Sequence, residues 1–191
     1  MSNALQNIPV EDVPMSELIV GVKCGGSDFT SGLCSNPALG KTSDLLLANG
    51  GTVIMGETTE IIGAEHLVAA KAVSEEVKAK LYKAIKGFED EIERMGVDMR
   101  GGNPSPGNIA GGLSSIEEKS LGCISKAGNA PLKDVLPFAD EIPGNGYYFM
   151  DSLLEMISNV LQEWQLLGFM WLCLQQEEEH RQAIQLYQLS K

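Results

Sequence analysis

Three stretches of this 191-residue sequence carry side chains able to do chemistry. Cys24-Gly25-Gly26-Ser27-Asp28 follows an apolar run over 18–22. A strand there would deliver a thiol, a flexible turn, a hydroxyl and a carboxylate to its C-terminal end, the edge at which open α/β sheets bind ligands. The same residues also fit a tight turn around a buried cysteine. Next, Glu57-Thr58-Thr59-Glu60 and Glu65-His66 gather three carboxylates and the one imidazole that precedes residue 152. Oxygen and imidazole donors suit iron, manganese or zinc, and crowded carboxylates shift the pKa of a general base. Alternatively, Glu65 and His66 simply open a solvated helix. The third stretch is Asn103-Pro104-Ser105-Pro106-Gly107-Asn108 with Gly111-Gly112, then Glu117-Glu118-Lys119-Ser120 and Lys126. Amide side chains and open backbone there could hold a hydroxylated acid, with a lysine as its carboxylate partner or, once desolvated, as a base. The bland alternative is a proline-stiffened surface loop beside an exposed charge cluster.

The elements that would position these groups are legible in outline. Residues 36–49 predict a short helix closed by Gly50-Gly51, since glycine supplies the left-handed residue that ends helices. Thr52-Val53-Ile54-Met55 has the β-branched, apolar character of a strand buried in a parallel sheet. Over 63–95, Ser74-Glu75-Glu76 can cap a helix whose apolar Val77, Leu81, Ala84, Ile85, Phe88 and Ile92 recur every three or four residues. Residues 97–115 are too rich in Gly, Pro, Asn and Ser for regular structure, and a loop so long inside a compact domain is usually functional. A helix over 116–121 and a strand over 134–138 complete an α/β pattern. The expected architecture is a partial, mostly parallel sheet with flanking helices and long Gly/Pro-rich loops.

Charge and composition exclude several classes. Fourteen basic side chains stand against twenty-six acidic ones, a net charge of −12, so a nucleic-acid surface is not expected, because that needs clustered Lys and Arg. With 43% hydrophobic and 21% charged residues the chain is not of disordered composition. No apolar run reaches the roughly 18 residues of a membrane span. The first twenty residues lack a basic, then apolar, secretory leader, so the expectation is a soluble cytoplasmic protein. Cys24, Cys34, Cys123 and Cys173 form no CxxC pair. Reduced thiols are expected, not a disulfide framework or a zinc knuckle.

Composition breaks near residue 152. Of 21 glycines only Gly168 lies in 153–191, whereas Gln162, Gln165, Gln175, Gln176, Gln182, Gln185, Gln188 and both tryptophans fall there. Two units are expected, 1–152 and 153–191. Leu153, Met156, Ile157, Val160, Leu161 and Trp164 recur at helical spacing, so the tail would be helical if ordered.

Taken in order, CGGSDFTSGLCSNPALG, GGTVIMGETTEIIGAEH, NPSPGNIAGGLSSIEEKSLGCISKAGNAPL and GYYFMDS resemble the large-chain region of the altronate and galactarate dehydratase family, over about residues 15–152. The resemblance implies a hydro-lyase that removes water from a sugar acid to give a 2-keto-3-deoxy acid, aided by a divalent metal, commonly Fe2+, with Mn2+ as the alternative. It also implies a homo-oligomer, with a small partner subunit in some members, and no membrane or nucleic-acid partner. Sulfolactate sulfo-lyases share the family and are the alternative activity. A non-catalytic interaction fragment is a third possibility. Carried onto this sequence, the resemblance places Glu57, Glu60 and His66 at the metal. It places Cys24, Gly25, Gly26, Ser27, Asp28, Asn36, Asn103 and Asn108 at the substrate, and Glu118, Lys119 and Lys126 at the chemistry.

The sequence departs from the family twice. Members have a substantial region ahead of the CGGSD motif, and after Asp151-Ser152 they continue into a strand and a Thr-Thr-Gly-Arg-Gly-Thr motif that is missing here. Joining the last base of each codon to the first two of the next permits that motif across 174–180. It also forces an Asp at Met156-Ile157 and an Ala at Trp164-Gln165, both family-like. The expectation is therefore that 153–191 is out-of-frame translation appended to an incomplete, inactive fragment.

Overall fold

The computed structural model describes residues 12–24, 26–138 and 140–151, together with the backbone of 171–175. Five parallel strands form one sheet in the order β3-β4-β2-β1-β5, with β1 Ile19–Cys24, β2 Thr52–Met55, β3 Leu132–Leu136, β4 Tyr147–Met150 and β5 Trp171–Gln175. β2 and β4 are buried along their whole length, which is why both read as uninterrupted apolar runs.

The helices flank this sheet: α1 Asn36–Ala48, α2 Glu65–Ala69, α3 Glu75–Arg94, α4 Met99–Gly102, α5 Pro106–Ala110 and α6 Ile116–Ile124. α3 is the most strongly amphipathic. Val77, Leu81, Ile85, Phe88 and Ile92 are its buried stripe, and each contributes about 1.5–3 kcal/mol by leaving water. Ser74 caps it, its side chain accepting from the Val77 N–H, and Gly96 at φ 73 closes it. The stripe joins Val53, Met55, Ile61, Ile62, Leu132 and Phe149 in one core.

The expected α/β architecture with a parallel sheet is present. Strand 134–138 lies two residues earlier than the periodicity places it, at 132–136. The loop 97–115 holds two short helical turns, α4 and α5, each capped by a side chain from within the loop. β4 was not foreseen, because Tyr147–Met150 follows Gly144 and Gly146 without periodicity. The helical spacing over 153–164 lies outside the described residues. At 171–175, where the tail is described, the backbone is a strand hydrogen-bonded beside β1 and not a helix. Among the described residues no helix is long and apolar enough to cross a membrane.

Candidate functional site

β1 and β2 run parallel, so their C-terminal ends meet at one edge of the sheet, and α6 closes over it. β1 ends on Lys23 and Cys24, both buried. After β2 the backbone turns through Glu57 at φ 70, a left-handed conformation that is unusual and costly for a non-glycine residue. The turn brings Glu60 back under β1, where its Oε1 accepts from the Cys24 N–H at 2.7 Å. Cys123 and Lys126 lie three apart across the end of α6, on one side of it. The Ser120 hydroxyl holds this helix, donating to the Ile62 carbonyl at 2.7 Å. Ser43 of α1 donates to the Lys126 carbonyl at 2.8 Å.

The result is a buried polar cluster. The Lys126 ammonium donates to Glu60 Oε2 and to Cys24 Sγ, the latter at 3.1 Å, and Cys24 Sγ lies 3.4 Å from Cys123 Sγ. Lys23 forms an ion pair with Glu57. Lys23 and Lys126 are both 0% exposed, so neither cation is solvated and both depend on these partners.

The electrostatics follow from burial set against neighbouring charge. Burial opposes ionisation of Glu60, yet the Lys126 charge and hydrogen bonds hold its carboxyl below the usual range. Burial, then the charge of Glu60, push Glu57 up to about 8 in spite of Lys23. The Cys123 hydrogen bond lowers the Cys24 thiol against burial and the Glu60 charge, with the Lys126 ammonium assisting. Cys123 is pushed up by its bond to Cys24 and by burial. Lys126 is raised, because the charges of Cys24 and Glu60 outweigh its burial.

Two cavities open onto this cluster. One, of about 350 Å³, is lined by Cys24, Glu57, Glu60 and Asn108 among others; the second, of about 370 Å³, by Asp28, Asn36, Glu118 and Cys123 among others. Ser27 and Lys119 line both.

Among the described residues, one group of three metal-capable side chains lies together: Cys24, Glu60 and Cys123, their ligand atoms all within 4.8 Å of one another. Two sulfurs and a carboxylate oxygen fit a borderline divalent cation such as iron or zinc better than magnesium or calcium. Such an ion would share Cys24 and Glu60 with the Lys126 ammonium, which engages both.

This differs from the set Glu57, Glu60 and His66. Glu57 and Glu60 come together, but His66 is exposed at the start of α2 and lines neither cavity. The short turn ahead of α2 carries its side chain outward. Lys126 is enclosed and lines neither cavity, so it reaches a ligand only through Glu60 and Cys24.

Other expected site residues divide between lining and bracing. Asp28 braces: its Oδ1 accepts from the Ser31 N–H, the Ser31 hydroxyl and the Thr30 hydroxyl. Burial works against its ionisation, but these bonds keep the carboxyl below its ordinary value. Asn108 is a strut. Its Nδ2 donates to the Ser27 carbonyl at 2.8 Å, and its Oδ1 accepts from Ser105 and from Lys119. Asn103 accepts from Lys119 at 3.0 Å. Glu118 is exposed and holds Ser114. Asn36 is buried with its Oδ1 unbonded. Gly26 lines the first cavity, and Gly25 lies outside the described residues.

Sequence reasoning missed Lys23 and Cys123. A lysine directly before Cys24 in an otherwise apolar strand was a signal for the first. For the second it was the Cys123, Lys126 spacing within one helix turn.

The model of the family described as D-galactarate/altronate dehydratase, C-terminal, matches residues 15–164. Altronate dehydratase of Bacillus subtilis (strain 168) is 45% identical over 142 residues, 74% of this chain and 28% of the relative. Galactarate dehydratase (L-threo-forming) of Escherichia coli (strain K12) is 46% identical over 126 residues, 66% of this chain and 24% of the relative. The (2R)-sulfolactate sulfo-lyase subunit beta of Chromohalobacter salexigens is 42% identical over 144 residues, 74% and 37% of the two chains. The chain thus spans about a quarter to a third of the length of these relatives. With 150 residues matched in order and the CGGSD, GETTE and GCISK segments meeting at one sheet edge, the chain belongs to the D-galactarate/altronate dehydratase family, in its C-terminal region.

Proposed function

We propose that this chain carries the cation-binding and proton-transfer part of a hydro-lyase acting on a sugar acid such as altronate or galactarate. The observation behind this reading is the buried Cys24, Glu60, Cys123 and Lys126 cluster opening into a polar cavity beside Glu57 and Lys119. Cys24, Glu60 and Cys123 would hold the divalent cation, Fe2+ by preference and Mn2+ as the alternative. When bound, it would supply Lewis acidity toward a hydroxyl or carboxylate oxygen.

The chain's own residues do the rest. Lys119, fixed by Asn103 and Asn108 at 3.0 Å each, offers its remaining N–H to the substrate carboxylate. Glu57, with a carboxyl that titrates near 8, takes the proton α to that carboxylate when ionised and returns it to the departing β-hydroxyl. Water leaves, and the resulting enol becomes the 2-keto-3-deoxy acid by moving a proton from oxygen to carbon. Lys126 keeps Glu60 ionised, so that it remains an acceptor.

We further propose that residues 153–191 are out of frame, and that the chain as it stands is an inactive piece of the enzyme. The altered composition of this segment and the recoverable Thr-Thr-Gly-Arg-Gly-Thr motif support this. The relative named as a sulfolactate sulfo-lyase subunit keeps sulfite elimination, with a partner subunit, as the second reading.

The test has two parts. Anaerobic titration of the chain with Fe2+ or Mn2+ should show one site, weakened at least tenfold in Cys24→Ser and Cys123→Ser and unchanged in His66→Ala. A frame-restored, full-length version should then dehydrate altronate or galactarate. Cation binding that survives both cysteine substitutions, or a restored enzyme active on sulfolactate alone, would overturn the reading.

A further inference from the structure

We infer that Cys24 and Cys123 form a peroxide-sensitive thiol pair that closes into a disulfide. The two sulfurs lie 3.4 Å apart although the residues are 99 positions apart in sequence, so the tertiary fold has brought them together. Both are free thiols. A disulfide requires about 2 Å between sulfurs, so the two must approach by about a further 1.4 Å. The pair also stands between the two cavities, Cys24 lining one and Cys123 the other. These cavities are where a small oxidant would approach the pair, of which only 8% and 1% is exposed. The Lys126 ammonium, 3.1 Å from Cys24 Sγ, supplies positive charge beside the sulfur that attacks. Cys34 has no such setting: it is exposed in the turn Ser31–Ser35.

The chemistry balances with hydrogen peroxide as oxidant. The Cys24 thiolate attacks one peroxide oxygen, the O–O bond breaks, and the departing hydroxide takes a proton to become water, leaving a sulfenic acid. The Cys123 sulfur then attacks the Cys24 sulfur and displaces hydroxide, which takes the Cys123 proton to give a second water. Each sulfur is oxidised by one electron and both peroxide oxygens are reduced. Because this bond consumes two of the three donors Cys24, Glu60 and Cys123, it also removes the proposed cation site. Formation of the disulfide itself does not depend on that reading.

Cleavage on the N-terminal side of aspartates in the unmutated chain separates all four cysteines. Cys24 falls in 12–27, Cys34 in 28–43, Cys123 in 98–133 and Cys173 in 151–191. After dilute peroxide and alkylation, mass spectrometry should show 12–27 linked to 98–133, with both peptides released by dithiothreitol. The Cys123→Ser chain should instead give a dimedone adduct on 12–27. Recovery of Cys24 and Cys123 as separate alkylated thiols, or as sulfinic acids with no linked peptide, would overturn the inference.

Discussion

Removing the Lys126 ammonium while leaving its partners in place should show how much of the fold rests on one ion pair. The Lys126 and Glu60 side chains are 0% and 3% exposed, so solvent cannot replace either partner. Lys126→Met strands the Glu60 carboxylate and leaves Cys24 Sγ without its cation. Breaking such a pair from one side costs about 3–5 kcal/mol, a large part of the roughly 5–15 kcal/mol that holds a domain together. Glu60→Gln, which keeps an acceptor for the Cys24 N–H, should cost a similar amount. The double variant should cost no more than the larger single one, giving a coupling of about 3 kcal/mol in a urea-denaturation cycle. The pH dependence carries a sign. Glu60 is held below its ordinary 4.5, so its contribution is present above that pH and lost as pH falls through the folded value. In Lys126→Met, burial is opposed only by the hydrogen bonds from Glu57 and Cys24, so the Glu60 carboxyl should rise and acidification should cost the variant less than it costs the unmutated chain. A single variant within about 1 kcal/mol of the unmutated chain, or costs that simply add, would refute the argument.

Glu57 has the opposite sign. Its folded pKa of about 8 lies above its ordinary 4.5, so between these values only the folded chain keeps the proton. Its contribution should fall by up to about 1.4 kcal/mol per pH unit, and Glu57→Gln should flatten the stability profile between pH 5 and 8. Gly40→Ala would set a Cβ 2.1 Å from the Ser125 carbonyl oxygen. The expected cost is about 1–3 kcal/mol, seen as a lower Tm with α1 displaced from the Lys126 turn. Asn108→Ala removes the strut between Ser105, Ser27 and Lys119. It should cost about 1–3 kcal/mol and speed proteolysis within 97–115.

Much of the frame was legible because apolar periodicity and caps are local signals. α3 and its Ser74 cap, α1 and the β2 run at 52–55 sit where the residue pattern puts them. β4 escaped, because its aromatic run Tyr147–Met150 lacks the β-branched residues that marked 52–55. The site was half legible. The segments stood out because their residue types are unusual, and Glu57, Glu60 and Cys24 do meet. Which side chains turn inward depends on backbone geometry that spacing does not encode. The positive φ at Glu57 aims Glu60 inward, and α2 carries His66 into solvent. Asn108 lines the cavity, yet its Oδ1 and one of its two amide N–H groups are engaged by the chain itself.

The contact between Lys126 and Cys24 joins residues 102 positions apart, and that between Lys126 and Glu60 spans 66. Closing loops of this length is slow relative to local helix formation. On the ribosome, no nascent chain shorter than 126 residues can pair the Glu60 carboxylate with the Lys126 ammonium. Lys23, Cys24 and Glu60 must therefore wait in a hydrated, open sheet edge until the turn that follows α6 has emerged.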